Sequence, residues 1–311
     1  MKLERLEDRC CPAYTVIDLG ALPGATTSFA SAVNESAQVV GDSYVTTDAQ
    51  HAFLWQNGIM TDLGTLGGTR SWARDINEAG QIVGGSSPLG TFPSHAFLWQ
   101  NAIMTDLGTL GRSSSASAIN NNGQIVGSWY TDTSVPHSFV WESGVMYDLQ
   151  SLLPANSGWD LQADVADINE SGQIAGTGLY NGQQRAYLIT DSDRVFGNGG
   201  ATITNLGILP GGSHSSADGI NSSGKVVGFS SVKWQDNHAF LYTGGVMTDI
   251  KTLGGPLAWA FGINDANQVV GRSLTQKNNW NDDYHAFVWQ NDRMTDLNKL
   301  RPRGSDGTLE S

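Results

Sequence analysis

Residues 71–110 read SWARDINEAG QIVGGSSPLG TFPSHAFLWQ NAIMTDLGTL, and this stretch decides the fold. Its first segment, SWARDIN, has no helical period and is expected as a strand. Asn77-Glu78-Ala79-Gly80 follows, with asparagine opening and glycine at the left-handed fourth position, which suits a type I turn with a bulge. QIVGGS from Gln81, HAFLW from His95 and IMTDL from Ile103 are three more runs of strand length. In the preceding copy the joint after HAFLW is Asn57-Gly58, a strong two-residue hairpin signal. The unit is therefore four short strands with two tight joints.

The same order of markers recurs along the chain. The glycine that ends QIVG stands at Gly41, Gly84, Gly127, Gly176, Gly228 and Gly271, at spacings of 43, 43, 49, 52 and 43. An asparagine seven residues earlier keeps the same spacing: Asn34, Asn77, Asn120, Asn169, Asn221 and Asn264. The third marker begins at His51, His95, His137, Arg185, His238 and His285, and MTDL or a relative follows it. Ala37 and Asn267 stand where the turn glycine is expected in the first and last copies.

Six four-stranded units predict an all-β chain, a six-bladed β-propeller of four-stranded antiparallel blades. Both tight turns then lie on one face, and the long connections gather on the other, the expected functional face. Residues 14–22, YTVIDLGAL, read as a fourth strand without its first three, so an N-terminal strand is expected to close the ring against residues 285–289. Residues 294–300 compete for that seat. The division expected is an N-terminal tag or disordered tail (1–13), one propeller domain (14–300) and a disordered C-terminal tail (301–311).

Composition narrows the function classes. Thirty-eight of 311 residues are glycine and only 15% are charged, which favours strands and turns. A net charge of −13 repels phosphate backbones and anionic lipid, so nucleic acid is excluded as a partner. No run approaches the roughly 20 apolar residues of a membrane span. Both cysteines, Cys10 and Cys11, fall in the first 13 residues, so the repeats hold no disulfide, thiolate metal site or cysteine nucleophile. No cofactor or metal is expected, and a monomer is.

His51-Ala52-Phe53, His95-Ala96-Phe97, His238-Ala239-Phe240 and His285-Ala286-Phe287, with the IN, GQIVG and DLGTLGG segments, resemble the HAF repeat family of extracellular repeats. His137-Ser138-Phe139 departs slightly and Arg185-Ala186-Tyr187 more. Leu6-Glu7-Asp8-Arg9, followed by Pro12-Ala13, resembles a short tag at the start of exported bacterial surface proteins. The resemblance implies a secreted or cell-surface repeat protein and carries no catalytic assignment.

One histidine per copy invites a metal reading, which geometry opposes. On a third strand these histidines lie roughly 10 Å outside the innermost strand, and neighbours around a hexagon of that radius stay about as far apart. Zinc ligands must approach within about 2.1 Å of one ion. A structural role is expected, with Asp62, Asp106, Asp148, Asp249 and Asp296 as partners, and the hydroxyls of Ser28, Ser71, Ser114 and Ser215 nearby.

Function is expected where copies differ. The connections between second and third strands carry aromatics beside amides and acids, the chemistry that stacks on and hydrogen-bonds to sugar rings. Trp129, Tyr130, Tyr180, Trp234, Trp280, Asp282, Asp283 and Tyr284 are the candidate ligand-binding residues, with a glycan or a cell-surface protein as partner. The alternatives are a polysaccharide hydrolase or lyase on the same scaffold and a purely structural repeat. Carboxylate pairs for such an enzyme, Asp160 with Asp164 or Asp191 with Asp193, depend on the fold to bring them together. Residues 191–200 also offer calcium-type oxygen donors, without the spacing of an EF-hand.

Overall fold

The computed structural model describes residues 17–46, 49–90, 93–163, 165–191, 196, 200–233, 236–276 and 284–300. These residues form strands and two short 3-10 turns, Leu149–Leu152 and Leu297–Leu300, with no α-helix among them. The second copy is typical: Gly67–Ile76, Ile82–Pro88, His95–Gln100 and Ile103–Gly108 run antiparallel in order.

Among the described residues the hydrogen-bonded sheets number five, where six separate four-stranded units are expected. The first two copies share one eight-stranded sheet, joined by a single parallel pairing, Gln50 with Arg70. The fourth copy has five strands, because Trp159–Asp160 and Val165–Ile168 both pair with Ile174–Tyr180. The third, fifth and sixth copies are four-stranded sheets.

The N-terminal closing strand is a correction. Residues 17–22 form no strand, and residues 14–16 lie outside the described residues. The edge of Tyr284–Gln290 is taken by Arg293–Asp296 instead, through a hairpin at Asn291-Asp292, both with positive φ. A two-residue loop closes at far smaller entropic cost than a pairing with a segment some 270 residues away, which favours the local strand.

First strands of successive copies contact one another, placing them innermost. They bulge at a fixed position, as between Ala73 and Asp75 in the second copy. The repeated glycine faces that bulge. A Cβ built on Gly84 would stand 2.0 Å from the Trp72 carbonyl oxygen, so no larger residue fits. The aromatic of each third strand pairs with this glycine, as Phe97 with Gly84, and Phe53, Phe97, Phe139, Tyr187, Phe240 and Phe287 are all fully buried.

The core lies between copies, in five apolar clusters, one for each adjacent pair from first with second to fifth with sixth. In the joint of copies one and two, Val40, Ala52 and Leu63 meet Ala73, Ile76, Ile82 and Phe97. The equivalent joint of copy six with copy one is not formed among the described residues. The second residue of the VVG or IVG triplet is fully buried at Val40, Val83, Val126 and Val227, yet Val270 is 48% exposed. Val33 is 64% exposed, where Ile76, Ile119, Ile168 and Ile220 are 4–6% exposed. Among the described residues the series of copies is thus an arc that ends in two unmatched apolar faces.

Candidate functional site

The repeated polar residues turn inward to hold the arc. Each marker asparagine donates its side-chain N–H to the backbone carbonyl of the next: Asn34 to Asn77 (3.1 Å), Asn77 to Asn120 (3.1 Å), Asn120 to Asn169 (3.0 Å), Asn169 to Asn221 (3.0 Å) and Asn221 to Asn264 (3.2 Å). Its carbonyl oxygen accepts the backbone N–H four residues on, as Gln81 to Asn77 at 3.0 Å. A buried amide must be so satisfied, which explains the marker.

Histidine and aspartate pair as expected: His51–Asp62 at 2.8 Å, His95–Asp106 at 2.9 Å, His238–Asp249 at 3.0 Å and His285–Asp296 at 2.9 Å. The second carboxylate oxygen accepts a crossover N–H, as Asp106 from Gly108 at 2.7 Å. Burial pushes the Asp249 carboxyl up, but hydrogen bonds from His238 and Lys251 outweigh it and hold it at about 2. The serines link copies: Ser71 accepts the Ala52 N–H (2.9 Å) and donates to the Gly64 carbonyl (2.6 Å), and Ser114 does the same for Ala96 and Gly108. Two copies depart. His137 lies flat on Trp129, centroids 4.4 Å apart, rather than pairing with Asp148, and Arg185 donates to the carbonyls of Gln184 and Ser213.

An open pocket of about 760 Å³ lies on the face of the long connections, where the first three copies meet. Trp72, Arg74, Ser94, Ser115, Ser128 and Tyr130 are among its walls, with Ser31 and Ser117 completing the hydroxyl lining. Local structure positions the ring. Trp72 pairs across strands with Gly85, where a Cβ would come within 2.4 Å of the indole, so the ring lies over the neighbouring strand and its N–H reaches Ser115 Oγ at 3.3 Å. Tyr130 ends Ile125–Tyr130 and also lines an adjoining pocket of about 390 Å³ with Arg112, Thr131 and Ser134. An aromatic surface, several hydroxyls and a guanidinium can stack on, hydrogen-bond to and pair with an oxygen-rich ligand.

The expected ligand residues do not form one cluster. Tyr130 lines the pocket, whereas Trp129, its neighbour in the strand, points to the opposite face and packs on His137. Tyr180 packs on Trp159 at 5.1 Å in the fourth copy, and Tyr284 sits 5.6 Å from Trp259, with the Arg272 guanidinium 4.9 Å over its ring. Trp234, Trp280, Asp282 and Asp283 lie outside the described residues, as do Asp164, Asp193 and Asn198. Trp72, Arg74, Ser31, Ser115 and Ser117 lie on innermost strands and Arg112 on a crossover, outside the connections between second and third strands where function is expected. The signal was present in the innermost strands, where Ser31, Arg74, Ser117, Ala166, Asp218 and Phe261 occupy one position in six copies.

Fold and site define a β-propeller-type scaffold presenting a polar pocket on its connection face. By structure the chain is similar to TolB from Acinetobacter baumannii (TM-score 0.51, 12% identity), covering 83% of this chain and 62% of that one. It is similar to the β-propeller domain of the Trilobed protease from Pyrococcus furiosus, described as having an open velcro topology (TM-score 0.54, 12% identity, 91% and 86% covered). A puromycin-hydrolysing peptidase from Mycobacterium tuberculosis matches at TM-score 0.55 and 11% identity, over 91% of this chain and 46% of the peptidase. The chain thus spans less than two thirds of TolB and under half of that peptidase. No protein-family model matches it, and no curated protein matches it in sequence.

Proposed function

We propose that this is an exported, non-catalytic recognition propeller of the HAF-repeat type, with six blades, that binds a glycan on its connection face. The eight-stranded sheet counts as two blades on this reading, since one residue pair joins its halves. The pocket carries the proposal: Trp72 and Tyr130 offer ring faces, and Ser31, Ser94, Ser115, Ser117 and Ser128 offer hydroxyls that both donate and accept. The described carboxyls with raised pKa do not favour an enzyme, because those of Asp75 and Asp167 accept backbone N–H groups and none lines the pocket. A glycan array on the full chain tests the reading. Tyr130→Ala and Trp72→Ala are each expected to weaken binding about tenfold, the order of one lost stacking and packing contact, with melting temperature as the control. Binding that survives both substitutions refutes the site, and release of shortened product would establish the hydrolase or lyase instead.

A further inference from the structure

We infer that the ligand of this face is an acidic glycan, a chain of hexuronate rings whose carboxylates are read by Arg74 and Arg112; this rests on the glycan reading above. The chain carries 17 basic against 30 acidic residues, yet the two adjoining pockets that share Tyr130 have an arginine each and no carboxylate among their lining residues. Asp75 follows Arg74 in sequence, but its carboxyl oxygens are engaged by the Ile76 and Ile119 N–H groups. Asp132 shares the turn with Thr131 and is exposed without lining either pocket.

The two guanidinium groups differ from most other described cations. Lys233, Lys251 and Lys299 are ion-paired, Lys225 is bonded to Asn267, Arg185 to backbone carbonyls, and Arg272 is packed among three aromatic rings. Arg74 and Arg112 are exposed, and neither guanidinium has a hydrogen bond or ion pair among the described residues. Each of these two guanidinium-bearing side chains lines a pocket together with Tyr130. A guanidinium binds a carboxylate through two parallel N–H···O bonds, and two such groups in adjoining pockets that share an aromatic residue suit a polymer with a carboxylate on each sugar. The chain's negative field repels polyanions at large, so attraction has to be local.

Titration calorimetry tests this with the full chain, hexuronate oligomers of galacturonate, mannuronate and glucuronate, and their methyl esters, which keep the rings and remove the charge. At least one acid form is expected to bind ten times more tightly than its ester. Arg74→Gln and Arg112→Gln are each expected to lower acid affinity about tenfold, leaving ester affinity and melting temperature unchanged. Equal binding of acid and ester, with both arginine variants like wild type, overturns the carboxylate assignment. If neutral glycans alone bind, and lose affinity on Tyr130→Ala, the acidic assignment fails while the glycan reading stands. Binding of no glycan overturns both.

Discussion

Asp75 and Asp167 hold the same position in the second and fourth copies and do the same work. Each accepts its neighbour's N–H and an N–H from another copy: Ile76 and Ile119 on Asp75 (both 2.8 Å), Ile168 and Ile220 on Asp167 (2.8 and 2.9 Å). Burial, and then the charge of Asp167, raises the Asp75 carboxyl to about 7 against those bonds, while burial raises Asp167 to about 6 and Asp218 to about 7. With folded pKa values above the unfolded value near 4, the folded state keeps protons that the unfolded chain releases. That stability is complete below about pH 4 and is lost as pH rises through 6–7. Asp249 works oppositely, its contribution being lost as pH falls from the usual carboxylate range through about 2. The melting temperature is therefore expected to be higher at pH 5 than at pH 8, and Asp75→Asn to flatten the decline; thermal denaturation at both pH values checks this, and an equal slope in the variant rejects it. Composition could not show any of this, because the second partner of Asp75, the Ile119 N–H, lies in the next copy, 44 residues away. The marker asparagines were equally visible and equally unexplained, since their acceptors lie 43–52 residues away.

At the scale of the element, strand order and tight turns were legible because they are local. Ala37 and Asn267 looked like failures of the turn signal, yet both adopt the left-handed conformation, with φ of 55° and 60°, and keep the turn's hydrogen bonds. The fold imposes that conformation at a cost of roughly 1 kcal/mol for alanine. Ala37→Gly is expected to stabilise the chain by up to about 1 kcal/mol, measured by urea denaturation; destabilisation would reject this account. The histidine–aspartate pairs also rank by burial. The side chain of Asp62 is 45% exposed and that of Asp296 only 3%, and a screened pair contributes little whereas breaking a buried one leaves polar groups unpaired. Asp296→Ala is expected to lower stability more than Asp62→Ala, in the same assay; the reverse order would reject burial as the cause. The connection face was legible from loop lengths, but not which aromatics open onto it. Trp129 and Tyr130 are adjacent, so strand alternation sends one inward, and nothing local says which.

At the scale of the molecule, stability accumulates joint by joint, since each cluster joins one copy to the next. Among the described residues the six copies have five joints, and the residues that would build a sixth are present. Val270, Val288 and Leu297 line a groove of about 430 Å³ on the outer face of the last copy, at the positions where Val40, Leu54 and Leu63 meet the second copy. The side-chain amide of Asn264, the last of the asparagine series, donates among the described residues only within its own turn, to Gln268 at 2.9 Å. Sequence periodicity could not distinguish an arc from a ring, because the repeat places the same residues on every unit whether or not a neighbour covers them. Val227 and Val270 are matched probes of that difference, one fully buried and one 48% exposed at the same repeat position. Val227→Asp places a charge in a closed apolar joint and is expected to cost on the order of 4 kcal/mol or to prevent folding. Val270→Asp sets the same charge beside water and is expected to cost less than about 1 kcal/mol. Comparable losses of melting temperature in the two variants would mean that the last face is covered in solution and the arc is shut.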